Sequence, residues 1–341
     1  MDNVTSPIAT VSVRIFGSVT YTLLSAMGLT LNILLIIIFL QSKTTFRRNA
    51  FYTIAWQLIV CDVLTHCMEF IVPIPLTFAG RQIYGDSLVR GIPCFIDTIV
   101  YNGTLFFSFL MTVNRFTVFI TPRLNAILFQ KLGLYLTIGF MWLFVILFIV
   151  GINVFACYKT FESNGFYYYH VCPPWDDIPL FGQILKNFSA YASTYLPVAM
   201  FITYIFMIVY IKMKLHFEWK NGHMSRRMST VHNTDHGISW KTEFSLLAQS
   251  FVICAFIEVQ NLVFEFLPTI PATGQWTFII NIVGNWVSLL LSSIHPIVLF
   301  TFNKNIRKRL KYLLRKIFRP HSTKVMKMTS SSFIVSTSRI S

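Results

Sequence analysis

The sequence predicts an all-α membrane protein, a bundle of seven transmembrane helices. Three observations carry that prediction. Only 12% of the 341 residues are charged and 55% are hydrophobic, whereas a soluble domain carries roughly 25% charged residues. Seven apolar runs reach the roughly 20 residues a helix needs to cross a hydrocarbon core. Lys and Arg gather on alternate connections between those runs, as the positive-inside rule requires.

The same numbers exclude other classes. A chain this poor in charge cannot clothe a soluble enzyme, and one with 34 Phe is not disordered. Six cysteines in this length do not make a disulfide scaffold. A barrel would show short alternating segments between turns, and none is evident. The net charge of +15 could suggest nucleic acid, but its placement decides against that partner.

Residues 1–18 form a tail with a glycosylation sequon, Asn3-Val4-Thr5. Span 1 runs from Val19 to Leu40 without a charge and carries Asn32 midway. Its apolar core is too long for a cleaved signal peptide. Span 2, Phe51 to Pro75, contains Asp62 and Glu69. Span 3, Ile92 to Ile120, contains Cys94, Asp97, Asn114 and Arg115. Span 4 lies in the 27 uncharged residues between Lys131 and Lys159, with Trp142 inside it. Span 5 lies in the 25 between Lys186 and Lys212, with Pro197 inside it. Span 6, Phe244 to Phe266, carries Glu258 and Glu265. Span 7 follows Pro268 and Pro271, begins near Gln275 and ends before Lys304. The seven-span bundle is therefore residues 19–302.

After span 7, Lys304, Arg307, Lys308, Lys311 and Arg315 interleave with Ile306, Leu310, Leu313, Leu314 and Ile317. That spacing predicts a short amphipathic helix over 303–318 lying along the membrane surface. Residues 319–341 form a cytoplasmic, disordered tail. Ten Ser and Thr between Ser322 and Ser341 make it either a phosphorylation target or merely a solvated end.

Orientation follows from the cations. The connections after spans 1, 3 and 5 and the final tail hold 23 of the 28 Lys and Arg, against five on the other side. The N-terminus is predicted outside and the C-terminus inside, and the lipid bilayer accounts for the basic charge.

The polar residues inside the spans suggest sites. Intramembrane acids are costly and face the bundle interior. Asp62 is expected in a polar cluster with Asn32, Asn281, Asn285 or His295, which either binds sodium or holds a protonated, structural acid. Asp97 and Arg115 are 18 residues apart, five helical turns or about 27 Å. If Arg115 faces the interior, so does Asp97, near the outer surface. Asp97 is then either the counter-ion of a cationic ligand or a carboxylate wetted by the outer vestibule. Glu258, deeper than Glu265 on the same helix face, and Tyr101 join Asp97 as ligand-pocket candidates, in a pocket between spans 3, 5, 6 and 7. Arg115 either snorkels to phosphate or serves as a switch that is bonded inward when closed and freed when open. With Asn114 beside it in place of an acid, no adjacent ion pair holds the closed state.

Several of these residues stand where rhodopsin-like G-protein-coupled receptors carry theirs: Asn32, Asp62, Asn114-Arg115-Phe116, Trp142, Pro197 and His295-Pro296. The pattern departs at Asn114, at His295 and at Leu299, and the Trp-x-Pro element of span 6 is absent. More specifically, Asn49 to Phe78, Phe107 to Phe116, and Leu299-Phe300-Thr301-Phe302-Asn303-Lys304-Asn305-Ile306-Arg307 resemble nematode serpentine receptors of class X, as does the acidic, Gln-bearing sixth span. The resemblance covers about residues 20–318. It implies a chemosensory receptor that binds a small extracellular ligand and activates a heterotrimeric G protein through a cavity around Arg115. It also implies a plasma-membrane location, in the cilia of sensory neurons. Three cysteines lie outside: a Cys157–Cys172 pair is the choice similar to this family, and Cys94–Cys172 is that of receptors in general.

No phosphate-binding Gly loop and no zinc-protease His pattern occurs, so no catalytic residue, metal or cofactor is expected. The alternative function is a seven-span ion channel or transporter with Asp62, Asp97 and Glu258 along its path. The internal repeats of most transporters are missing.

Overall fold

The computed structural model describes residues 9–41, 49–85, 87–220 and 240–318. Asn3, the loop around 221–239 and the tail beyond 318 lie outside the described residues. Among the described residues, seven helices are long and apolar enough to cross a membrane. They are α1 (Val11–Gln41), α2 (Ala50–Ile71) continued by α3 (Pro73–Ala79), α4 (Leu88–Phe119), α6 (Lys131–Phe155), α7 (Leu180–Lys220), α8 (Trp240–Phe266) and α9 (Gln275–Phe302). These are spans 1 to 7, with α2 and α3 together forming span 2. Between spans 3 and 4 lies the short α5 (Pro122–Leu128), and α10 (Lys304–Phe318) follows span 7.

Spans 1, 2, 3 and 7 pack most closely together, and their polar residues point at one another. Spans 4 and 5 turn large apolar side chains outward. In span 4, Leu136, Phe140, Leu143 and Leu147 are all more than half exposed. Their spacing of three and four residues is one helix face, and lipid is the solvent that accepts it.

Local sequence explains where the helices begin and break. Pro73 lacks the N–H that would continue α2, so the helix breaks at Val72 and restarts. Gly80 ends α3 in the left-handed region at φ 60°, a conformation that glycine adopts freely. Span 1 begins at Val11, eight residues before its expected start at Val19. The reason is Arg14: its guanidinium donates to the Phe78 carbonyl at 2.6 and 3.1 Å and to that of Ala79. It thereby satisfies the open carbonyls at the end of α3, and the charge that ends the apolar run does not end the helix.

The last junction is equally specific. Asn303 is extended (φ −94°, ψ 106°) and closes α9. Its side-chain oxygen accepts from the backbone N–H of Asn305 at 3.1 Å and of Ile306 at 3.2 Å. The Phe302-Asn303 element is thus a stop followed by an N-cap. It turns α10 back so that Ile306 and Leu313 are buried in the core at this end of the bundle.

The connection between spans 4 and 5 is a β-hairpin, β1 (Tyr158–Glu162) antiparallel to β2 (Tyr167–Val171), in the register Tyr158 opposite Val171. The Cys157–Cys172 disulfide closes its base. Phe161 and Phe166 insert into a core cluster with Tyr21, Val72, Leu76, Phe278 and Ile282. Asn281 of span 7 donates to the Gly165 carbonyl at the hairpin tip, 2.8 Å.

Candidate functional site

Two polar places stand at opposite ends of span 3, with a buried polar layer between them. At the hairpin end a cavity of about 860 Å³ opens between spans 2 to 7 under the β-hairpin. That volume suits a small organic ligand. Asp97 and Tyr101 line it, together with Glu69, Lys159, Tyr168 and Asn285. The span-6 acid expected there is elsewhere. Gln260 and Phe264 face the cavity and Glu258 does not line it. Two residues along a helix are about 200° of rotation, so Gln260 and Glu258 cannot share a wall. Spans 2 and 4 contribute to the wall as well as the four spans expected.

Asp97 already has a partner. Lys159 of β1 donates to its carboxylate at 2.5 Å, with both side chains largely buried. The same ammonium sits over the Tyr168 ring, 4.2 Å from its centre. Tyr168 is half-buried, and desolvation together with the Asp97 and Glu69 charges pushes its phenol well above the ordinary range. It remains a neutral donor with a ring face turned to the cation. His170 also lines the cavity and is exposed. Desolvation first, then the Lys159 and Lys186 charges, hold its imidazole below the usual range. In the sequence, Lys159 only marks the end of the uncharged run of span 4. The missed signal was the hairpin itself: an aromatic strand-like run, Tyr167-Tyr168-Tyr169, preceded by Ser163-Asn164-Gly165 and framed by two cysteines. In a strand, alternate residues share a face, which places Lys159 and Phe161 inward together.

The expected polar cluster separates into two layers. Asp62 and His295 meet at 2.8 Å, Oδ2 to Nδ1, at 1% and 2% exposure. Asn32 lies near them but bonds backbone, donating to the Gly28 and Ser292 carbonyls at 3.0 and 3.2 Å. Asn285 is one layer closer to the cavity and donates to the Tyr21 hydroxyl at 3.2 Å. Pro296 follows His295 within α9. Gly28 makes the close approach possible: a Cβ there would stand 2.2 Å from His66 Nε2 and 2.4 Å from Ser293 Oγ.

At the other end Arg115 is among the largest fully buried side chains. Its guanidinium donates to Asn114 Oδ1 at 2.5 Å and stacks 5.2 Å from the centre of the Phe51 ring. Asn114 Nδ2 reaches Asn125 Oδ1 of α5 at 3.4 Å, and Thr117 Oγ1 donates to the same oxygen at 3.3 Å. The restraint on Arg115 therefore includes its neighbour after all. An amide oxygen accepts where an acid was missing, and α5 orients the amide.

Cys157 and Cys172 are paired, and Cys94 is a buried free thiol. No group of metal-ligating side chains occurs among the described residues.

A family model described as serpentine type 7TM GPCR chemoreceptor Srx matches residues 23–303. The fold is similar to the crystal structure of squid rhodopsin, with TM-score 0.67 and 13% identity over 91% of this chain and 87% of that one. No curated protein matches the chain. A match over most of the length, on a bundle of this shape, places the chain in that family: it belongs to the serpentine-type seven-transmembrane G-protein-coupled chemoreceptors of class Srx.

Proposed function

We propose that this receptor binds a small molecule from outside the cell in the cavity beneath the hairpin and signals through a heterotrimeric G protein at the Arg115 end. The observation that carries this reading is the pairing of the two ends along span 3. Asp97 lines a covered polar cavity near one end, and Arg115 lies buried near the other. A ligand that favours a more open bundle shifts the population toward it, and opening removes Arg115 from Asn114 and Phe51 into a cytoplasmic cavity. The guanidinium then offers several donors to the carbonyls of a G-protein helix. The described inner ends of spans 5 and 6, residues 202–220 and 240–242, and the Thr121–Gln130 connection form the rim.

The Lys and Arg asymmetry supports a hairpin end outside and an Arg115 end inside. With it go α10 on the inner membrane surface, Asn3 glycosylated, and a plasma-membrane location in sensory cilia by family likeness. The asymmetric side chains of α10 fit a surface helix, since Ile306 is buried while Lys304, Arg307 and Lys308 are exposed.

The test uses intact cells expressing the full chain with a calcium reporter. An epitope at Met1 should be labelled without permeabilisation and one at Ser341 should not. A panel of volatile and secreted small molecules should yield a second-messenger response with no membrane current. Reversed labelling, or a ligand-gated current without second messenger, would contradict the reading.

A further inference from the structure

The cavity wall holds two carboxylates, Glu69 and Asp97, and one ammonium, Lys159. Lys159 is committed to Asp97 at 2.5 Å and to the Tyr168 ring. Glu69 is left over. It stands two residues, about half a turn, before the end of α2 nearest the cavity and is 3% exposed. Its Oε2 has no hydrogen-bond partner. It lies within electrostatic reach of Asp97 and Lys159, but the lysine is already engaged. Buried carboxyl oxygens are normally paired, and a solitary buried charge is strongly disfavoured. A group that lines a cavity and lacks a partner is a request for a donor from the ligand.

The rest of the wall describes that donor. Tyr101 and Tyr168 place aromatic rings in the same wall, and the Tyr168 ring already accepts an ammonium at 4.2 Å. Aromatic faces hold organic cations in this way. We propose that the cavity takes a small organic monocation, an aromatic monoamine in class, with the Glu69 carboxylate of span 2 as its counter-ion. The span-3 acid, spent on Lys159, serves to hold the hairpin over the bound amine. This assignment rests on the reading of the cavity as the ligand site.

The test takes the full-length receptor purified into lipid nanodiscs. It measures binding of a graded series from benzylamine through 2-phenylethylamine to tryptamine, each against the alcohol of the same shape. At least one amine should bind ten-fold or more tightly than its alcohol, and Glu69→Gln should erase that preference. Glu69→Asp, which keeps the charge on a shorter stem, should retain part of it. Equal binding of an amine and its alcohol to the wild-type protein overturns the proposal without any variant having to fold. So does an amine preference that survives in a folded Glu69→Gln protein, and so does a series in which no amine binds. A neutral compound that evokes second messenger while every amine fails removes the amine assignment and leaves the receptor reading standing. Amine binding lost in Glu69→Gln, accompanied by current in place of second messenger, keeps the counter-ion and removes the receptor reading.

Discussion

The two ends of span 3 are built on opposite principles. The hairpin end is held by discrete ties: a disulfide at the hairpin base, the Asp97–Lys159 ion pair one residue along β1, and the Asn281–Gly165 hydrogen bond at its tip. Beneath them is open polar space. The Arg115 end is packed with Phe51, Ile54, Leu58, Phe107, Val298 and Leu299, and the Arg115 guanidinium is buried there against the Phe51 ring. A ligand can enter the first by offering its own polar groups. The second opens only if apolar surface and a guanidinium become wet together, which is costly until a partner arrives. On the proposed function, that contrast makes one end receptive and the other a threshold.

The disulfide gives the largest expected effect on stability. Its sequence separation is 15 residues, and closing a loop of that length is worth about 3 kcal/mol. Replacing Cys157 and Cys172 with Ala should lower the thermal midpoint of the purified receptor and weaken ligand binding more than basal output. An unchanged midpoint would show that the polar ties hold the hairpin by themselves.

The ion pair comes next. Removing one partner of a well-buried pair costs on the order of 3 kcal/mol or more, but Lys159 is 16% exposed and can turn to water, so about 2 kcal/mol is expected for Asp97→Asn. A double-mutant cycle with Lys159→Met measures the coupling. Coupling near zero would reduce the pair to a surface contact and leave Asp97 available to a ligand.

Those two ties differ in how far the sequence announces them. The seven spans are legible because an apolar run is a one-dimensional property. The Cys157–Cys172 pair was one of two choices left open, and only the family resemblance pointed to it. The Asp97–Lys159 pair was not legible, because it depends on which face of a strand Lys159 occupies once the hairpin forms. Glu258 misled for a related reason. Span 6 carries polar residues on several faces, Gln249, Glu258 and Gln260 among them, so its rotation about its own axis cannot be read from pattern alone. The start of span 1 was placed too late, because Arg14 caps α3 from within the helix and nothing in the sequence pattern announces that contact. The role of Asn114 was hidden by looking for a charge where an amide oxygen suffices.

Between the two ends, Gly28→Ala tests how tightly the middle layer is packed. The added methyl would meet His66 and Ser293 well inside contact distance, and overpacking of this kind costs about 1–3 kcal/mol. A midpoint within a degree of wild type would mean that His66 swings away freely and that the layer is loose. At the Arg115 end the smallest effect is expected from Asn303→Ala. Losing this cap should cost about 1 kcal/mol, seen as a modest fall in midpoint and in surface expression. A larger loss would make α10 a keystone of that end, since Asn303 also donates to the Tyr52 hydroxyl at 2.5 Å.

The central claim is that the buried guanidinium at one end carries the output of ligand binding at the other. Its most direct test is Arg115→Ala, scored for surface expression, ligand binding and second messenger in the same cells. Expression and binding should stay close to wild type while second-messenger output disappears, and Arg115→Lys should restore little because it lacks the planar fork. Normal second-messenger output from a well-expressed Arg115→Ala receptor would contradict the account and reduce Arg115 to a packing residue.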